Sequence, residues 1–138
     1  MLTDLEKEIL QKTIWDNPYI PKDHMPFPKQ IDALLDFRKE LLFGGSAGGG
    51  KSDYLLMAAL QFVEQPNYNA IIFRRTYSDL SLPEGLIPRS HEWLTHTPAQ
   101  YKQDLHQWKF PSGSTLTFGY LESESHIYRY KSSSFSFI

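Results

Sequence analysis

Short, almost wholly apolar runs alternate along this chain with longer amphipathic segments. Residues 41–43 form one apolar run and residues 69–73 form another. Runs of this kind are typical of parallel strands that are buried on both faces. Between them, the segment from Lys51 has a broad apolar face at helical spacing, which predicts a helix that continues to the break at Pro66. Strand, helix and strand together predict one βαβ unit with a right-handed crossover.

Two further helices are predicted before this unit. Residues 3–14 keep helical spacing, and Thr3 forms a capping box with Glu6. Prolines between residues 16 and 27 break regular structure, so we expect an extended connector there. A second helix begins at Pro28, a residue that suits a first helical turn. The apolar stripe of this helix consists of Ile31, Leu34 and Leu35, and Arg38 and Lys39 suit its last turn.

The second half of the chain predicts a β-hairpin. Residues 107–110 and 115–120 flank a turn of sequence Pro-Ser-Gly-Ser, and the second of these segments alternates as a half-buried strand does. Between residues 76 and 98, prolines and a glycine predict an irregular crossover that contains one short helix at residues 89–94.

Composition narrows the class of protein. At 138 residues, with 41% hydrophobic and 22% charged residues, the chain has the size and make-up of one soluble globular domain. It contains no cysteine, which excludes disulfides and cysteine-bound metals, and His91 and His96 have no further ligand at metal-binding spacing. No apolar run approaches about 18 residues, so no membrane span is expected. The net charge of −2 gives no overall basic field, so contact with nucleic acid would need a local site.

Residues 45–52 fit the phosphate-binding pattern G-x-x-x-x-G-K-[ST], placed between a predicted strand and a predicted helix as a P-loop requires. Glycines let the backbone curl with its N–H groups directed at an anion, and the following helix adds the positive end of its dipole. We expect Lys51 to reach the β- and γ-phosphates and the Ser52 hydroxyl to ligate Mg²⁺. A flexible Gly/Ser linker is the alternative, but a buried strand and an amphipathic helix would not bracket a linker. The predicted ligand-binding residues of this loop are Gly45, Ser46, Ala47, Gly48, Gly49, Gly50, Lys51 and Ser52.

Gln30 is a second candidate for ligand binding. A primary amide donates and accepts hydrogen bonds at once, which matches the N6 and N7 edge of adenine. Several ATP motors place an adenine-reading glutamine in a short Pro-x-Gln segment ahead of the P-loop. Taken alone, however, a glutamine near a helix start is more often solvated.

Arg74 and Arg75 follow the predicted strand at residues 69–73. Ligands of open parallel sheets bind at the carboxyl ends of the strands, so either arginine could stabilise phosphate charge or contact DNA. The alternative is that the two charges only terminate a buried strand.

Four ordered motifs make the chain resemble the large terminase subunit of tailed bacteriophages. They are PKQ at residues 28–30, LFGGSAGGGKS at 42–52, IIFRRTY at 71–77 and TFGYL at 117–121. The resemblance implies an α/β fold, namely a P-loop NTPase-type parallel sheet flanked by helices, here incomplete and with an inserted β-hairpin. It divides the chain into an N-terminal helix with a Pro-rich connector, residues 1–27, and a partial P-loop ATPase domain, residues 28–138.

The same resemblance implies a function. That family joins an N-terminal ATPase motor to a C-terminal nuclease and packages DNA into the procapsid. For this chain it implies ATP and Mg²⁺ as ligands, Gln30 as the adenine reader and Lys51 as a catalytic lysine. Position within the series suggests Arg129 as an arginine finger that acts on a neighbouring subunit in a ring. The expected partners are double-stranded DNA, the portal protein, the small terminase subunit and other copies of the chain, with no membrane, and the expected location is the host cytoplasm.

The last residues depart from the family pattern. The strand expected at residues 135–138 usually continues into an Asp-Glu pair, the Walker B motif, and a serine run at residues 132–134 stands where a more varied segment is usual. We therefore expect a truncated or frameshifted end, little hydrolysis, and a marginally stable fold that is prone to aggregation. The leading hypothesis is an ATP-binding N-terminal fragment of a packaging motor. The alternative is a non-catalytic remnant or interaction protein that docks on full-length terminase through a sheet edge, and a helicase-type ATPase comes third.

Overall fold

A computed structural model of the chain describes residues 3–21, 28–35, 51–121 and 135. The chain forms two compact units, residues 1–61 and residues 62–138. The described part of the first unit is helical, and the second unit contains a β-sheet. None of the helices in the described ranges has both the length and the apolarity that crossing a membrane requires.

The first unit contains helices α1 at Asp4–Trp15, α2 at Pro28–Leu34 and α3 at Lys51–Leu60. The predicted cap of α1 is confirmed, because the Glu6 backbone N–H donates to Thr3 Oγ1 at 3.2 Å. The predicted start of α2 at Pro28 is confirmed as well. Leu34 and Leu35 are buried at its end, whereas Arg38 and Lys39 lie outside the described residues. The apolar residues Leu5 and Ile9 of α1 are exposed.

Helix α3 ends at Leu60, so the prediction that it continues to Pro66 is wrong. A tertiary hydrogen bond takes the place of one helical hydrogen bond that the longer helix would need. The Leu60 carbonyl accepts from Asn17 Nδ2 at 3.1 Å, where a continuing helix would supply the N–H four residues on. Residues 61–67 form turns, and Asn67 has a φ of 63°, which no helix interior accommodates.

The second unit is built around a four-stranded mixed sheet. Its strands are β1 at Asn69–Arg74, β2 at Gln100–Lys102, β3 at Gln107–Lys109 and β4 at Thr115–Tyr120, in the order β1-β4-β3-β2. Strands β1 and β4 are parallel, with Asn69 opposite Thr115 at one end and Arg74 opposite Tyr120 at the other. The other two pairings are antiparallel. The apolar run of β1 and alternate residues of β4 supply buried side chains, which are Ala70, Ile71, Ile72, Leu116 and Phe118.

Two helices join β1 to β2. They are α4 at Tyr77–Ser81 and α5 at Leu86–Leu94. Helix α4 packs on β1, on β4 and on α5. The crossover is therefore more regular than predicted: α4 and β2 were not expected, and α5 begins three residues before the predicted start. Pro88 lies in the first turn of α5, where the missing N–H of proline costs no hydrogen bond.

The β-hairpin is confirmed. Strands β3 and β4 pair antiparallel, and the turn between them is closed by Gly113 N–H donating to the Phe110 carbonyl at 2.9 Å. Gly113 has a φ of 89°, a conformation that favours glycine. The turn is also held by the Ser112 and Ser114 hydroxyls, both of which donate to the Val63 carbonyl.

These observations confirm the α/β class. The predicted strand at residues 41–43, and with it the handedness of the crossover, lies outside the described residues. Of the predicted strand at residues 135–138 only Phe135 is described, and it has no regular secondary structure. The division of the chain at residue 28 stays a prediction.

Candidate nucleotide-binding site

Lys51 and Ser52 are the first two residues of α3. Both are partly buried, and the helix that they begin is 10 residues long. The first turn of such a helix has backbone N–H groups without helical acceptors and carries the positive end of the helix dipole. The predicted P-loop therefore leads into a helix at the predicted lysine, which is the arrangement that phosphate binding requires.

Gln30 lies in the first turn of α2, and only 2% of its surface is exposed. The interpretation that it is a solvated surface residue is wrong. Burial of a primary amide is costly unless its donors and acceptor are used. Gln30 has an interaction of its own within the chain, and its role in reading a nucleobase stays a prediction.

Helices α2 and α3 pack against each other and are joined at their carboxyl ends. The Gln61 side chain, directly after α3, donates from Nε2 to the Leu34 carbonyl at the end of α2, at 3.3 Å. This hydrogen bond ties the helix that carries Gln30 to the helix that begins with Lys51. The two candidate ligand residues are thus held on one helical framework.

Asn17 was not identified from the sequence as part of this framework. Its side chain is 91% buried and makes two hydrogen bonds: Nδ2 donates to the Leu60 carbonyl at 3.1 Å, and Oδ1 accepts from the Tyr19 backbone N–H at 2.9 Å. The Ile20 N–H donates to the Asn17 carbonyl at 3.3 Å, so residues 17–20 form a turn. The prediction of an extended connector is therefore wrong for these residues. An Asn-Pro pair is a turn signal in the sequence, but nothing local indicates a partner 43 residues away.

The remaining predicted site residues lie outside the described residues. They are Gly45, Ser46, Ala47, Gly48, Gly49, Gly50 and Arg129. Their roles stay predictions.

In the second unit, Arg74 ends β1 and Arg75 follows it. Both side chains are exposed. They lie at the carboxyl edge of the parallel pair β1 and β4, where the Leu121 N–H donates to the Arg74 carbonyl at 3.3 Å. The edge placement predicted for them is confirmed.

An aromatic cluster in the second unit contains His91, Tyr101 and Trp108. The His91 ring centroid lies 4.4 Å from that of Tyr101 and 4.8 Å from that of Trp108. Burial lowers the pKa of His91, and burial, assisted by the nearby Tyr77, raises the pKa of Tyr101 to about 12. The cluster is joined to α5 by Trp108 Nε1, which donates to Ser90 Oγ at 2.9 Å. His91 therefore has a packing role in this unit.

Comparison with known proteins gives one family. The model of that family, described as the terminase large subunit, T4likevirus-type, N-terminal, matches residues 42–138. This is more than half of the chain, and it includes Lys51, Ser52, both edge arginines and Arg129, while Gln30 precedes it. No curated protein and no solved structure matches the chain.

Proposed function

The chain belongs to the T4-like terminase large-subunit family, in its N-terminal region, and from that premise we propose that it binds ATP with Mg²⁺ as part of a motor that packages phage DNA. The family places it among proteins of phage DNA packaging. Our proposal adds three things to family membership: the ATP ligand, the residues that bind it and the individual partners.

The observation that carries the proposal is the start of α3 at Lys51, directly after the phosphate-binding pattern of residues 45–52. The P-loop pattern supports phosphate binding, but it says nothing about the base. For the base we propose the Gln30 amide, on a helix held to α3 by the Gln61 hydrogen bond, because a primary amide matches the N6 and N7 edge of adenine. ATP is thus a better match to these residues than an unspecified phosphate ligand.

The proposed roles of Lys51 and Ser52, at the amino end of α3, follow from their side-chain chemistry. Lys51 supplies a compact positive charge for the β- and γ-phosphates. The Ser52 hydroxyl is a hard oxygen ligand in the first turn of the helix, which fits Mg²⁺. When bound there, Mg²⁺ would neutralise charge on the phosphate oxygens. The loop at residues 45–50 would direct its backbone N–H groups at the phosphates.

The wider assembly follows from family membership. We propose that the chain works with double-stranded DNA, the portal protein, the small terminase subunit and further copies of itself in a ring, in the host cytoplasm. In that ring Arg129 would act on the nucleotide of a neighbouring subunit.

Binding of a fluorescent ATP analogue by the full chain tests the proposal. We expect Mg²⁺-dependent binding that Lys51→Ala weakens more than tenfold, while Lys12→Ala, which removes an exposed lysine from α1, leaves it unchanged. Gln30→Ala should reduce the preference for ATP over GTP by roughly 5- to 150-fold, which corresponds to the ~1–3 kcal/mol of a bidentate base contact.

Absence of Lys51-dependent binding would refute the proposal. If the chain then bound full-length terminase large subunit with measurable affinity, the alternative of a non-catalytic interaction protein would be favoured instead.

A further inference from the structure

Arg74 and Arg75 form an exposed pair of positive charges at the carboxyl end of β1. Neither side chain makes a hydrogen bond or an ion pair with another residue in the part of the chain that the structure describes. The strand before them is buried, with Ala70, Ile71 and Ile72 inside the unit. The guanidinium groups therefore stand at the end of a fixed strand and face solvent.

The backbone under the two arginines is held from both sides. Arg74 pairs with Tyr120 in the parallel ladder, and its carbonyl accepts from the Leu121 N–H at 3.3 Å. After Arg75, Thr76 Oγ1 accepts from the Asp79 N–H at 3.2 Å and caps α4. Placing charges on so constrained a segment lowers the conformational entropy lost when a ligand binds.

Aromatic rings fix the same edge. The Tyr77 ring lies 4.8 Å from the His106 ring and 5.7 Å from the Tyr120 ring, measured between centroids. Tyr77 thereby ties the start of α4 to the end of β4 and to the turn before β3. We call the surface formed by Arg74, Arg75, Tyr77, His106 and Tyr120 the arginine edge.

We propose that the arginine edge contacts the phosphate backbone of double-stranded DNA. The inference rests on the proposed packaging role for the choice of DNA among polyanions. Guanidinium groups match phosphate oxygens in geometry and charge. Because both arginines are exposed at a strand end, they suit a partner that presents many phosphates on an open surface. Contacts of this kind carry no base preference.

The structure supplies a matched control in Lys109. This residue is exposed, ends β3, and pairs with Thr115 at the amino end of β4. Since β1 and β4 are parallel, Lys109 lies at the opposite edge of the sheet from Arg74. If the loss of any positive charge weakened DNA binding, Lys109→Ala would weaken it too. If the contact is at the arginine edge, Lys109→Ala would leave DNA binding unchanged.

Fluorescence anisotropy of a labelled duplex with the full chain, measured over a series of KCl concentrations, tests the inference. Each phosphate contact adds about 0.9 to the slope of log K against log salt. We expect Arg74→Ala and Arg75→Ala each to reduce the slope by about that amount, on two duplexes of unrelated sequence alike. The conservative variants Arg74→Lys and Arg75→Lys should retain the slope, and Lys109→Ala should leave it unchanged.

In the DNA titration, three results would overturn the inference: no binding of the duplex by the wild-type chain, an unchanged slope in both alanine variants, or an equal loss in Lys109→Ala. Arg74→Gln and Arg75→Gln, which keep much of the aliphatic stem, replace the alanine variants if thermal melts show those to be unfolded.

Binding of the ATP analogue separates this inference from the proposed function. Loss of ATP-analogue binding in the arginine variants would assign them to the nucleotide and also refute the inference. A normal DNA slope without Lys51-dependent nucleotide binding would refute the ATP proposal alone.

Discussion

We expect Asn17 to be critical for the stability of the first unit, although no sequence pattern identified it. Replacement by Ala removes the donor to the Leu60 carbonyl and the acceptor for the Tyr19 N–H. Leu60 and Tyr19 are both buried, so water does not readily replace the lost partners. The variant leaves two backbone polar groups unsatisfied.

The size of the effect follows from those two groups. A buried donor or acceptor without a partner costs about 1–3 kcal/mol, which gives about 2–6 kcal/mol for Asn17→Ala when the two costs are added. That is a large share of the roughly 5–15 kcal/mol by which a typical domain is stable. With a urea m-value of about 2 kcal/mol/M, the unfolding midpoint should fall by about 1–3 M.

Urea unfolding followed by tryptophan fluorescence and by circular dichroism measures this shift. Asp16→Ala is the matched control, because Asp16 is the exposed neighbour of Asn17 and surface changes usually stay within about 0.5 kcal/mol. A loss below about 0.5 kcal/mol in Asn17→Ala, at an unchanged m-value, would refute the idea that this side chain satisfies the end of α3. If the chain binds ATP as proposed, saturating nucleotide should raise the midpoint of both proteins.

Three further predictions concern the second unit. Ser90→Ala leaves Trp108 Nε1 without its buried acceptor and should lower the free energy of unfolding in urea by about 1–3 kcal/mol. The double variant with Trp108→Phe should lose less than the sum of the two single losses. Strict additivity would count against the hydrogen bond. Burial lowers the pKa of His91, so the unfolded chain binds more protons than the folded one, and the free energy of unfolding should fall as the pH drops below about 6.5. In melts from about pH 8 to about pH 5, the melting temperature should decrease less for His91→Phe than for wild type. Equal decreases would disprove the assignment. Gly113→Ala meets no neighbouring atom within 4 Å but keeps a φ of 89°, so we expect a loss of about 1–2 kcal/mol from backbone strain alone, with Gly113→Asn milder in the same melts.

Local sequence signals identified much of the second unit. The apolar run that became β1 and the glycine turn between β3 and β4 are determined by residues close together in the chain, so pattern reasoning found both. The same is true of the Thr3 cap and of the start of α2 at Pro28. In each case the physical cause lies within a few residues of the effect.

Features that depend on distant partners were not predictable in this way. At the end of α3 the Leu60 carbonyl accepts from Asn17, 43 residues earlier in the chain. Strand β2 is only three residues long and exists because β3 lies beside it. The burial of Gln30 is likewise a tertiary property. For the candidate site, the sequence supplied the chemistry of Gln30, Lys51 and Ser52, and the structure supplied the framework that holds two helices together.

The pairing of β1 with β4 also has a consequence for how the second unit acquires its structure. Thr115 Oγ1 donates to Asn69 Oδ1 across 46 residues of chain, whereas β3 and β4 are joined by one short turn. Closing the longer loop costs more chain entropy and comes later, because nearby contacts form first. We expect amides of the β3–β4 hairpin to gain protection before those of β1 in pulse-labelled hydrogen exchange. The arginine edge, which needs β1 beside β4, would then be assembled after the hairpin, so DNA could be bound there only by a chain in which β1 has already paired with β4.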